Sequence, residues 1–97
     1  MIPRCLRFRG WRLPLWQPYR RGLDSNVADM RNVTGEAAAS TITAALFLER
    51  FAGERPWVHI DIAAPSYRDR AEGWLTKGGT GWGARTLINL IQSRAQG

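Results

Sequence analysis

A long apolar stretch over residues 36–52 is the feature that most constrains how this chain can fold. Its apolar side chains recur at helical spacing between possible helix boundaries at Thr34-Gly35 and Gly53, so we predict a helix here. The apolar positions extend nearly around that helix: Ala38, Ala39, Ile42, Ala44, Ala45, Leu46, Phe47, Leu48 and Phe51. A helix this apolar is normally buried on more than one side. A chain of 97 residues offers little to bury it against, so we expect that neighbouring protein is missing.

A strand and a second helix are predicted downstream of this stretch. Residues 57–63 alternate in the manner of a strand, with one face formed by Val58, Ile60 and Ile62 and the other by Trp57, His59, Asp61 and Ala63. Residues 64–81 are predicted to be a glycine-rich loop, and residues 82–93 a helix with an apolar face. Upstream, we predict a helical turn at residues 18–22 and a short strand at residues 27–33. The order of helix, strand, loop and helix indicates an α/β fold.

The net charge of +6 belongs to the N-terminal segment. Residues 1–21 contain no acidic residue and six arginines, whereas the remaining residues contain eight basic and eight acidic side chains. A basic segment can bind nucleic acid or an anionic membrane. Its three prolines, Pro3, Pro14 and Pro18, argue against a continuous amphipathic helix. We therefore expect neither a membrane nor a nucleic acid as partner.

The single cysteine, Cys5, excludes a disulfide within the chain and a zinc site built from cysteines. This is typical of a reducing compartment. The N-terminal residues lack the apolar core of a signal peptide, and no apolar run approaches the roughly 20 residues that span a bilayer. We therefore predict a cytoplasmic location.

Two groups of residues could carry chemistry. His59 and Asp61 share one face of the predicted strand, but two ligands do not hold a catalytic metal and the chain has no second histidine. We interpret them as a hydrogen-bonded polar pair. The glycine-rich run of residues 78–83 leads into a helix, as in phosphate-binding loops, but it lacks their Gly-Lys-Ser/Thr ending. We interpret it as a tight lead-in that lets the helix pack closely.

Five short motifs occur in order between residues 11 and 91. They are Leu13-Pro-Leu15 with Tyr19, Ser25-Asn-Val-Ala-Asp29 with Asn32, Thr41-Ile-Thr-Ala-Ala-Leu-Phe-Leu48 with Phe51, Trp57-Val-His-Ile-Asp-Ile-Ala63, and Lys77-Gly-Gly-Thr-Gly81. Together they resemble the C-terminal portion of the catalytic domain of the leucine (cytosol) aminopeptidase family.

The resemblance implies a partial three-layer α/β domain, made of the last strands and helices of the family's catalytic domain. Residues 11–97 would form this fragment, and residues 1–10 remain an unplaced basic segment. The complete family enzyme releases N-terminal amino acids from peptides with two divalent metals, zinc or manganese. The resemblance also implies a cytoplasmic homo-hexamer.

The chain departs from the family in what it lacks. The family's Asn-Thr-Asp-Ala-Glu-Gly-Arg segment, which supplies metal-binding carboxylates and the catalytic arginine, does not occur in these 97 residues. We therefore expect no catalytic residue, no metal ligand and no peptidase activity in this chain alone. By position in the family, Ala63 and Ser66 would line the pocket for the first side chain of the substrate. Such small residues would leave room for a large side chain.

Two alternatives remain open at this point. The chain could be a small basic binding protein for nucleic acid or another acidic partner. It could also be one half of a split aminopeptidase, in which an upstream fragment supplies the metal site. Salt-dependent binding would distinguish the first alternative, and a separate fragment carrying the missing motif would distinguish the second.

Overall fold

The computed structural model describes residues 9–35 and 38–97. In chain order, the elements are a 3₁₀ helix (Gln17–Leu23), helix α1 (Ser40–Ala52), strand β1 (Tyr67–Arg68), strand β2 (Gly78–Gly79) and helix α2 (Ala84–Gln96). These elements fall into two compact units. The N-terminal unit is Arg12–Asp61, and the C-terminal unit is Ile62–Gly97 with residues 9–11.

The N-terminal unit is built by packing the 3₁₀ helix against α1. Pro18 lies in the first turn of the 3₁₀ helix, where a missing N–H costs nothing. Leu23 from this helix is buried with Thr43, Ala45 and Leu46 from α1, and these four are the buried residues in the described part of the chain. The predicted helical turn at residues 18–22 is therefore confirmed and extends by one residue at each end.

A polar contact and a steric contact supplement this small core. The Arg20 guanidinium donates to the Glu49 carboxylate over 2.7 Å, which joins the 3₁₀ helix to α1. The backbone N–H of Arg31 donates to the carbonyl of Leu23 over 2.7 Å and folds the following loop back. Gly22 lies against Thr34 so closely that a Cβ atom at residue 22 would come 2.8 Å from the Thr34 methyl.

Helix α1 is shorter at its N-terminus than predicted. It starts at Ser40, because Ala39 is left-handed with φ of 52° and a right-handed helix cannot continue through that conformation. Ala38 also lies outside the helix, whereas Glu36 and Ala37 are outside the described residues. The predicted C-terminus is correct: Gly53 adopts φ of 64° and its N–H donates to the Glu49 carbonyl.

The strands predicted at residues 57–63 and 27–33 are absent from the described structure. Residues 57–62 have no regular structure, and residue 63 begins a turn. A strand exists only when its backbone groups pair with a neighbouring strand, and no described segment pairs with residues 57–63. Residues 27–33 form bends, in agreement with the low strand propensity of Ala, Asp and Asn.

The C-terminal unit contains a small antiparallel sheet within the segment predicted to be a loop. Strand β1 pairs with β2 in the register Tyr67↔Gly79 and Arg68↔Gly78. Between them, Glu72 and Leu75 exchange two backbone hydrogen bonds around Gly73. Helix α2 follows, displaced by two to three residues from the prediction of 82–93. Helices with a two-stranded sheet are compatible with part of an α/β domain.

Candidate functional site: the turn at residues 62–66

The two residues predicted to face a substrate lie in one turn of the C-terminal unit. The N–H of Ser66 donates to the Ile62 carbonyl over 3.0 Å and closes the turn. The Ser66 hydroxyl donates to the carbonyl of Ala63 over 3.3 Å. Ala63 is exposed and Ser66 is half-buried. The structure therefore brings Ala63 and Ser66 together through the backbone and the serine hydroxyl, and it leaves a small side chain facing outward.

Thr80 fastens this turn to the start of α2. Its N–H donates to the Ser66 carbonyl over 2.9 Å, and its hydroxyl donates to the Pro65 carbonyl over 2.6 Å. The same hydroxyl accepts a hydrogen bond from the N–H of Trp82 over 3.2 Å. One half-buried side chain thus connects two segments that lie about 15 residues apart. Sequence reasoning placed Thr80 in a motif but assigned it no role.

The glycines around Thr80 give the backbone conformations that this connection requires. Gly78, Gly81 and Gly83 have φ of 110°, 67° and 83°, a region where side chains with a Cβ are strained. The N–H of Ala84 donates to the Gly81 carbonyl, and the N–H of Leu87 donates to the Gly83 carbonyl. These bonds begin α2 immediately after the glycine-rich run. The structure agrees with the predicted tight lead-in to the helix.

The described residues do not fit a divalent-metal centre. His59 is half-buried, and its ring lies 6.1 Å from the Trp57 ring, at an interplanar angle of 33°. Asp61 is exposed. Within residues 9–35 and 38–97, no group of three or more histidine, cysteine, aspartate or glutamate side chains is placed to hold a metal ion. The hydrogen-bonded pairing of His59 with Asp61 stays a prediction.

Arg20, one of the six arginines of the N-terminal segment, is engaged with Glu49. Arg9, Arg12 and Arg21 are exposed, and the remaining two arginines lie outside the described residues. The ion pair lowers the positive charge that this segment can offer to an acidic partner. The hypothesis of a small basic binding protein stays a prediction.

In the part of the chain that the structure describes, neither helix has the length and apolar character needed to cross a bilayer.

Comparison with known proteins assigns the chain to a family. The sequence profile described as the cytosol aminopeptidase family, catalytic domain, matches residues 7–88. The chain belongs to the cytosol aminopeptidase family. The resemblance predicted from the five motifs is therefore confirmed.

Three relatives show how much of a cytosol aminopeptidase this chain represents. Each is named "probable cytosol aminopeptidase". The protein of Gloeobacter violaceus is 49% identical over 84% of this chain and 16% of its own length. Those of Synechococcus sp. (strain WH7803) and Roseiflexus castenholzii are 50% and 46% identical, over 88% and 91% of this chain and 17% and 18% of their own lengths. The chain thus spans about one-sixth of the length of the curated relatives it matches.

Proposed function

We propose that this chain supplies a substrate-facing part of a cytosol aminopeptidase catalytic domain, in an enzyme that releases N-terminal amino acids from peptides. The match to the catalytic domain over residues 7–88 is the observation that carries this proposal. The proposed domain is a three-layer α/β domain, of which residues 11–97 form the C-terminal portion. Residues 1–10 lie outside that portion.

The turn at residues 62–66 is the proposed point of contact with the substrate. Ala63 and Ser66 would line the pocket for the first side chain of the peptide. The exposure of Ala63 and the bonds that hold the turn support this role, because a pocket wall must be accessible and rigid. Two small side chains leave space for a large substrate side chain.

Residues outside this chain would hold the metals in the complete enzyme. The family uses two divalent metals, zinc or manganese, and the described residues do not fit such a centre. The family's Asn-Thr-Asp-Ala-Glu-Gly-Arg segment is not among the 97 residues either. We therefore propose that this chain alone has no peptidase activity. The complete enzyme is proposed to be a cytoplasmic homo-hexamer.

An activity assay tests this proposal. The purified 97-residue chain is incubated with leucine p-nitroanilide and either Zn²⁺ or Mn²⁺, with the full-length Gloeobacter violaceus relative as positive control. We expect no release of p-nitroaniline from the chain alone. We expect turnover when it is co-expressed with the relative from which the aligned 81 residues have been deleted.

Two results would contradict the proposal. The first is turnover by the chain alone that survives removal of trace host aminopeptidase. The second is a complete lack of turnover in the co-expressed pair although the two polypeptides co-purify. Restored turnover would favour the split-enzyme form of the proposal, because the two polypeptides would then complement each other without a covalent link.

A further inference from the structure

Helix α2 directs its most apolar face outward. Leu87, Ile88 and Ile91 are 51%, 54% and 67% exposed, and no residue of the helix is buried. At 100° per residue, these three side chains lie within about 100° of one another on the helix surface. Ala84 and Ala95 lie on the same face and are also exposed. The result is a continuous apolar stripe about three turns long.

The half-buried side of α2 is a different one. Thr86, Asn89 and Leu90 are half-buried, and two of these three are polar. Within the C-terminal unit, α2 does not pack against β1 or β2. An amphipathic helix normally places its apolar stripe inward. Contiguous exposed apolar side chains of this kind mark a surface that another protein covers.

Charge indicates what kind of partner covers the stripe. Helix α2 carries Arg85 and Arg94 and no acidic residue, and the whole chain has a net charge of +6. A second copy would therefore bring like charges together on both sides of the contact, which is unfavourable. An apolar groove with carboxylates on its rim would complement both the stripe and the arginines.

We propose that Leu87, Ile88 and Ile91 dock into an apolar, acid-rimmed groove in the part of a cytosol aminopeptidase catalytic domain outside the aligned sixth. The relatives are about six times as long as the matched segment, so they contain the additional protein that such a groove needs. This inference rests on the proposed function and adds to it the surface through which the chain joins the domain.

Co-purification tests the docking surface. The tagged full chain is co-expressed with the Gloeobacter violaceus relative lacking its aligned 81 residues, and binding is then measured by titration calorimetry. The double variant Ile88→Ser with Ile91→Ser should weaken binding at least tenfold. The matched control, Gln92→Ser with Gln96→Ser, alters two exposed polar positions of the same helix and should bind within twofold of the unmodified chain. Far-UV circular dichroism verifies that both variants keep their helix content.

The results separate this inference from the proposed function. Equal binding by the Ile88/Ile91 variant and the control would overturn the docking surface, whereas restored peptidase turnover would still support the proposed function. Failure of the unmodified chain to bind would overturn the inference. Sedimentation equilibrium of the chain alone gives a further check, since a dimer disrupted only by the Ile88/Ile91 substitutions would identify a second copy as the occupant. Raising NaCl from about 0.05 to 0.5 M should weaken binding to an acidic rim, and an unchanged affinity would overturn that part of the proposal.

Discussion

At the scale of single residues, the Thr80 hydroxyl has the largest structural role relative to its size. Thr80→Val removes a donor to Pro65 and an acceptor for Trp82 while it keeps the shape of the side chain. Because these contacts are partly shielded from water, we expect a loss of about 1–2 kcal/mol of local stability. Hydrogen–deuterium exchange should show faster exchange at the Trp82 N–H, and at the N–H groups of Ser66 and Thr80 that hold the turn.

Thr80→Ser is the matched control for this variant. It retains the hydroxyl and loses only a methyl group, so its exchange rates should stay close to those of the unmodified chain. Equal exchange in the valine and serine variants would show that the hydroxyl does not hold the turn. The backbone bond from Thr80 to Ser66 would then be sufficient.

At the scale of elements, the packing of α1 depends on one face. Leu46 is 0% exposed, whereas Leu48, two residues further along the same helix, is 43% exposed. Leu46→Ala should cost about 2–5 kcal/mol, because it removes buried methyl groups and leaves a cavity. Such a loss is comparable with the whole stability of a small domain. Urea unfolding followed at 222 nm should show little helix at any urea concentration.

Leu48→Ala removes the same atoms from a half-open position, so its unfolding curve should nearly overlay that of the unmodified chain. If the two variants lost equal stability, the core placed around Leu23, Ala45 and Leu46 would be wrong.

The same elements show which parts of the fold were predictable. Gly53 ends α1, and the glycines before Ala84 start α2, because their backbone conformations are local properties. The apolar spacing likewise predicts both helices. A strand at residues 57–63 could not be verified from local pattern, since its existence depends on a partner strand. The role of Thr80 required knowing that Pro65 lies next to it in space, which no spacing in the sequence indicates.

At the scale of the whole molecule, the chain exposes much more apolar surface than it buries. Only Leu23, Thr43, Ala45 and Leu46 are buried in the described part, where seventeen large apolar or aromatic side chains are exposed. At roughly 25 cal/mol per Å², a few hundred Å² of uncovered apolar surface forfeits several kcal/mol. We therefore expect the isolated chain to be marginally folded, self-associating or insoluble. Its solubility should rise on co-expression with the truncated relative.

Light scattering and thermal unfolding check this expectation. A monomer with one cooperative transition above about 60 °C, high for a small mesophilic domain, would show that the chain is self-sufficient. The need for covering protein would then be wrong.

The close contact between Gly22 and Thr34 has a consequence for the order in which this chain can change during evolution. Alanine at residue 22 would place its methyl carbon 2.8 Å from the Thr34 methyl, a distance that real Cβ contacts almost never reach. If Thr34 is first replaced by serine, the obstructing methyl is gone and the same alanine is tolerated. The two substitutions are therefore neutral in one order and harmful in the other. Homologues carrying a side chain at the first position should have a smaller residue at the second.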